Sequence, residues 1–377
     1  HQATVDGAGK TIAVIGNGIV GATFVSEMLE RFPENQIVQF DGIKGTATTA
    51  SAGIIAPWLS KRRNQKWYHL ARLGAEYLNQ LAQKYEMPAD VYYQSGVIYT
   101  RDQADKLSEL YQLAQTRIKQ APQMGEFEIV DHQTIQKEFN FIQTKNDGLF
   151  VKGGARIDGR QFINFLQKRN QSKFEFRHDV AQLKREGSHV LVNGEHFDLV
   201  ILACGAWLKQ TLAPLGVEAL IRPQKGQLIE VTLPEHARMA DKAPVLMPEG
   251  ERDFIPTNQG TLLIGATHEN DQGFDLQVSS QIVEDLLASG QRVIPGLTQA
   301  MVKSVRVGTR AYTADFAPFF GYLPEFPEIM VASGLGSSGL TTGPIIGKLL
   351  VDLVADPQRD VTSLTKPVGD YVKLGGI

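Results

Sequence analysis

Gly16-Asn17-Gly18-Ile19-Val20-Gly21 has a spacing that could do chemistry. Three glycines at these intervals let backbone approach a pyrophosphate whose charge rests on a helix N-terminus. Alone the pattern is weak. Its context strengthens it, because the β-rich run Thr11–Ile15 leads into it and Asp41 follows Gly21 by twenty residues, closing the next strand. A carboxylate there can accept from both hydroxyls of an adenosine ribose. These residues predict dinucleotide binding.

Other candidates carry less. Gly336-Ser337-Ser338-Gly339 frames serine with glycine, but a nucleophile elbow centred on Ser337 needs glycine where the chain has Leu335. It reads better as a glycine-rich turn presenting backbone N–H groups, able to hold a ring carbonyl or a phosphate. Gly9-Lys10-Thr11 ends like a phosphate loop, yet the required first glycine falls on Thr4 and the loop precedes its strand. Cys204 sits in an apolar run before Gly205 and reads as a small core residue. The eight histidines lack close ligand spacing. A hairpin would place His189 and His196 on one face, where they read as solvated residues, so no metal site is expected.

Defined elements must hold these residues. Apolar residues at helical spacing run from Ile19 to Phe32 and stop at Pro33, and Gln36–Phe40 is a second strand, completing a β-α-β unit. A long amphipathic helix is predicted from about Asn64 to Tyr85 and a strand over Val97–Thr100. Asp102 is read as capping a helix to about Gln120, and Asp158 as capping another through Leu166. His189–Val192, an Asn193-Gly194 turn and a second arm from Glu195 form the hairpin, its second arm running on into the buried stretch Asp198–Gly205. Further strands are predicted at Leu228–Val231, Leu262–Gly265 and Glu328–Ser333, with helices at Ser279–Gln291 and Pro344–Val354. The order is α/β at both ends with a strand-richer centre. It predicts one Rossmann-like sheet assembled from discontinuous segments, with an inserted α+β domain.

Composition narrows the partners. The 377 residues suit two or three domains, and 38 Lys plus Arg against 41 Asp plus Glu leave a net charge of -3. No basic run exceeds Lys61-Arg62-Arg63, so no nucleic-acid partner is expected. One cysteine excludes an intrachain disulfide and fits a reducing compartment. Residues 329–347 lack charge but hold five glycines and a proline, so no transmembrane segment is expected. The uncharged run 12–25 is read as the nucleotide-binding unit and not as a signal peptide. A cytoplasmic location follows, with peripheral membrane association and oligomerisation left open.

The pieces together resemble the D-amino-acid oxidase superfamily of FAD enzymes, and within it the glycine oxidases most of all. The resemblance covers nearly the whole chain. It rests on Ile12–Gly21, Thr48-Thr49-Ala50-Ser51-Ala52-Gly53-Ile54, Leu202-Ala203-Cys204-Gly205-Ala206-Trp207, Pro223-Gln224-Lys225-Gly226 and Gly265-Ala266-Thr267-His268-Glu269. Arg310–Pro318 with Gly321, and Ala332–Pro344, complete it in the family order.

This resemblance implies noncovalent FAD, because Ala311 and Tyr312 follow Arg310 where sarcosine oxidases attach flavin through cysteine. It implies a cofactor set of Gly16, Gly18, Ile19, Val20, Gly21, Asp41, Gly42, Thr48, Thr49, Ala52, Gly53, Ile54 and Val180. Gly334, Leu335, Gly336, Ser337, Ser338, Gly339, Leu340 and Thr341 would continue it along the flavin. The implied FAD-binding domain spans 1–86, 150–215 and 305–377, and the substrate domain 87–149 and 216–304.

Arg310 matches the arginine that clamps a substrate carboxylate, a role suited to its planar fork. The implied activity is oxidative deamination of a small amino acid or amine, hydride passing from Cα to flavin N5 and electrons on to oxygen or a quinone. The imino acid formed would hydrolyse to a keto acid and ammonia. Ile54, Asp253 and His268 are expected in the substrate pocket, the last two where the glycine oxidase pattern has tyrosine and methionine. An enclosed Asp253 needs a partner, read as His268, Lys225 or a basic substrate group; the alternative is that it faces solvent. The alternatives to an amino-acid enzyme are an FAD-dependent hydroxy-acid or polyol-phosphate dehydrogenase, an NAD enzyme, or a non-catalytic flavoprotein subunit.

Overall fold

The computed structural model describes residues 9–375, apart from 62–63, 140–141 and 251. Strand β1 (Thr11–Ile15) is buried from Ile12 to Ile15 and lies parallel to β2 (Gln36–Phe40) on one side and to Leu199–Leu202 on the other. Covering on both faces is what an unbroken apolar run demands. Between them, α1 (Ile19–Arg31) buries Phe24, Val25, Met28 and Leu29 and ends at Phe32, whose N–H bonds Met28. Helix α2 (Gln65–Lys84) is capped by Asn64, whose side chain accepts from the Trp67 N–H.

The central sheet has six strands in the order Phe319–Leu323, Phe326–Ser333, Leu199–Leu202, β1, β2, Glu175–Arg177. These come from well-separated stretches, so this Rossmann-like sheet is assembled from discontinuous segments as expected. A second sheet of eight strands, mostly antiparallel, forms the α+β part with helices such as Ser280–Gln291. Its longest pair is β3 (Arg222–Thr232) with β4 (Val302–Tyr312), which run antiparallel from Arg222↔Tyr312 through Gly226↔Gly308. Gly148–Val151 crosses the boundary expected at 149/150, and β4 crosses that at 304/305, reaching from one sheet toward the other.

Several expectations shift. The helix expected from Asp102 spans Ala104–Arg117 with Gln103 at the cap. The hairpin is present, with Asn193 and Gly194 at positive φ and the His189 and His196 rings 4.7 Å apart. Its second arm stops at His196, however. At Asp198 the chain changes sheets, because that carboxylate accepts the Thr11 N–H at 2.9 Å and ties the next strand to β1. The last helix, α3 (Gly339–Ala355), starts five residues before the expected Pro344. Its first turn packs against α1 and α2, and tertiary contact outweighs the small-residue turn signal. Residues 336–355 are long and apolar enough to cross a membrane by composition, but 78% of that window is buried inside the protein.

Candidate active site

Three cavities run end to end past the C-terminal ends of the parallel strands. The first, about 710 Å³, is lined by Phe40, Gly42, Val180 and Trp207. The second shares Ile43 and Trp207 with it and adds Gly16, Gly18, Ile19, Val20, Thr48, Cys204, Leu335, Gly336 and Gly339. The third, about 530 Å³, shares Ser51 and Leu340 with the second. It is walled by Ala52, Gly53, Ile54, Arg101, Asp253, His268, Arg310, Ser337, Ser338 and Thr341. A trough at the carboxyl ends of a doubly wound sheet is where such folds take an extended ligand.

Local backbone explains why the glycine run lies here. Gly16 has φ +112°, and a Cβ on it would stand 2.1 Å from the Ala203 carbonyl oxygen, so β1 and its neighbour can turn away together only with glycine. Gly18 caps α1 without a side-chain bond, and the Ile19 N–H donates to Thr48 Oγ1 at 3.0 Å. The next two amides, Val20 and Gly21, have no protein acceptor among the described residues. With no acidic residue in the first turn, this helix end is suited to an anion. Asp41 is half-buried, donates its N–H to the Arg177 carbonyl at 2.8 Å, and joins no ion pair among the described residues. Arg177, its cationic neighbour, is taken by Glu175 and Glu195.

At the far end, Arg310 on β4 is 7% exposed. Its Nη1 donates to Gln224 Oε1 at 3.1 Å and to the Thr267 carbonyl at 2.9 Å. The guanidinium lies across β3 at Gly226, where a Cβ would come within 2.5 Å of Cζ. Burial pulls the arginine's pKa down, and Tyr312 and Glu269 offset this in part. No ion pair among the described residues includes Arg310. The nearby Glu269 carboxylate instead accepts from Thr267 Oγ1 at 2.6 Å and Gln227 Nε2 at 2.9 Å.

Asp253 pairs with Gly265 across two strands and lines the cavity, half-buried. Neither protein partner expected for it holds it. Lys225 is 3% exposed and bonds Asp275 at 2.7 Å and the Gln277 carbonyl at 2.6 Å, while His268 Nδ1 lies 3.2 Å from Gln224 Oε1. Burial pushes the Asp253 carboxyl up to about 7, against the pull of Arg101 and Arg252.

Residues 11–353 match the sequence model of the family described as FAD dependent oxidoreductase, DAO. The chain belongs to the DAO family of FAD-dependent oxidoreductases. This oxidoreductase is 31% identical to an uncharacterised oxidoreductase, YurR, of Bacillus subtilis over 93% of its own length and 96% of the relative's. It is 25% identical to a glycine oxidase of Pseudomonas aeruginosa, covering 92% and 95%. Among solved structures it is similar to iminodiacetate oxidase from Chelativorans sp. BNC1, with a TM-score of 0.86, 28% identity and coverage of 96% and 98%. Glycine oxidase from Geobacillus kaustophilus shares the fold at a TM-score of 0.78 and 20% identity, covering 94% and 98%. The oxidoreductase is therefore an FAD enzyme of mixed α/β fold.

The trough gathers most of the expected cofactor residues. Gly21, Asp41 and Gly334 do not line it, although Asp41 stands between Phe40 and Gly42, which do, and the Thr49 side chain lies outside the described residues. Cys204 lines the trough as a buried thiol, pushed up to about 11 by burial, which suits a core residue. Reasoning from sequence missed Arg101, Gln224 as an anchor, Trp67, whose Nε1 donates to Ser338 Oγ at 2.9 Å, and Tyr312, whose hydroxyl accepts the Ser337 N–H at 3.1 Å. Gln224 and Tyr312 lay within the quoted family blocks; Arg101 had no such signal.

Proposed function

We propose that this oxidoreductase oxidises the C–N bond of a small amino acid or amine whose carboxylate is clamped by Arg310. The observation that carries this reading is the buried guanidinium in the cavity wall, held through Nη1 by Gln224 and Thr267, with no carboxylate in direct ion pair with it among the described residues. A buried cation without a counter-ion is costly, and a bidentate carboxylate ligand removes that cost. Glycine oxidase and iminodiacetate oxidase, both named for carboxylated amines, support the substrate class.

The trough suits FAD residue by residue. The backbone at Ile19 and Val20 would take the pyrophosphate, Asp41 with Gly42 the adenosine ribose, and Val180 the adenine. Ala52–Ile54 and the turn at Leu335–Thr341 would line the flavin. FAD, when bound, supplies a two-electron acceptor at N5 and passes the electrons on to oxygen or a quinone. The chain's only cysteine is buried and protonated and Ala311 and Tyr312 follow Arg310, so FAD without a cysteinyl link is expected. Arg310 fixes the carboxylate and so fixes Cα; the amine must enter uncharged for its bond to be oxidised. Water hydrolyses the resulting imine to a carbonyl acid and ammonia or an amine.

Asp41→Ala is expected to weaken FAD binding by about 1.5–3 kcal/mol, the worth of charge-assisted bonds. Equilibrium titration of apoprotein with FAD measures it, and an unchanged Kd contradicts the ribose assignment. Gly226→Ala is expected to push Arg310 off its bed and lower kcat/KM by about a hundredfold, with FAD retained. Steady-state kinetics on both proteins reads this, and wild-type kcat/KM in the variant would show that the guanidinium's place does not matter.

A substrate panel tests the function itself. Carboxylated amines should turn over with holoenzyme, whereas 2-hydroxy acids and polyol phosphates should not. Turnover confined to the hydroxy compounds favours the other dehydrogenase reading instead.

A further inference from the structure

We propose that the substrate carries a second carboxylate, and that Arg101 is the specificity-determining residue that binds it. This rests on the amine-oxidising reading above and names the substrate class of that same site. Arg101 follows Val97–Thr100 and lines the cavity that Arg310 lines. Its Nη1 donates to the Thr100 carbonyl at 2.7 Å and the Met247 carbonyl at 3.4 Å. Like Arg310, it is anchored on uncharged oxygens through one nitrogen and enters no ion pair among the described residues.

The acids of the cavity form no direct ion pair with these two cations among the described residues. Glu249 is bonded to Lys106 at 2.8 Å. The Asp253 carboxyl accepts no hydrogen bond among the described residues, and burial pushes it up to about 7 against the pull of Arg101 and Arg252. The cavity therefore favours an anion, the opposite of the basic side chain expected from Asp253 alone. One carboxylate satisfies Arg310 and leaves the half-buried Arg101 without a direct ion pair; a second matches the guanidinium fork at Arg101. In iminodiacetate, the probe with two carboxylates, the oxidisable amine lies between them.

A purely structural role for Arg101 is the competing explanation, because it ties the ends of two paired strands, with Met247 opposite Tyr99. Anaerobic flavin reduction by iminodiacetate, N-methylglycine and glycine separates the two in holoenzyme, for wild type and Arg101→Met. Wild type is expected to prefer iminodiacetate over N-methylglycine in kcat/KM by about a hundredfold or more. Arg101→Met should lose about 30- to 100-fold on iminodiacetate, chiefly in KM, and less than about threefold on N-methylglycine. Arg101→Lys, which keeps the charge without the fork, should recover part of the loss.

Equal losses on both amines, or a wild type that prefers the monocarboxylate, overturn the proposal. If Arg101→Met does not fold, the wild-type preference and the lysine variant decide it alone. Should no amine reduce the flavin, the amine-oxidising reading fails first and takes this one with it.

Discussion

Arg310→Met holoenzyme is expected to keep its FAD and to lose about a thousandfold or more in kcat/KM on carboxylated amines, the several kcal/mol carried by a buried charge pair. Methionine keeps an unbranched stem to lie across Gly226, so packing changes little while the fork disappears. Gln224 Oε1 and the Thr267 carbonyl lose a donor, which should cost about 1–3 kcal/mol in stability. Flavin content, melting temperature and kinetics together separate the roles. A variant that melts earlier yet turns over normally would mean that Arg310 is structural only.

Asp253→Asn is expected to stabilise the protein above neutrality and not in acid. The native carboxyl is pushed up to about 7 by burial, from an ordinary value of 3.8. Its contribution to stability is fully present below 3.8, falls as pH rises through the window, and is lost above about 7, because the unfolded chain ionises first. Asparagine does not ionise, so the gain over wild type should be near zero at about pH 4 and reach at most about 4 kcal/mol at about pH 8. Urea melts at the two pH values measure it. A pH-independent difference would mean that the carboxyl titrates normally. The same variant should hold kcat/KM for an anionic substrate level where wild type declines above neutrality.

The cofactor end was legible because its signals are local. β1, the glycine turn, α1 and β2 lie within thirty residues, and each side chain's fate follows from its own neighbours. The substrate end was not. Only Leu228–Val231 of β3 shows apolar strand character, since the first half of the strand carries Arg222, Gln224 and Lys225, the last two polar yet buried. β4 hides its alternation of Val305, Val307, Thr309 and Ala311 among Lys303, Arg306, Gly308 and Arg310. Arg101 reaches the cavity through the pairing of Val97–Thr100 with Val245–Pro248, nearly 150 residues apart, which no local pattern encodes. Asp253 was singled out, but its expected partner Lys225 was already committed to Asp275.

A single-turnover product balance tests the central claim most directly. Holoenzyme is mixed anaerobically with one carboxylated amine that bleaches its flavin, and the products are counted against flavin reduced. C–N oxidation predicts one carbonyl acid and one ammonia or amine for each flavin. Bleaching that releases no nitrogen product, or that only 2-hydroxy acids and polyol phosphates bring about, would contradict it.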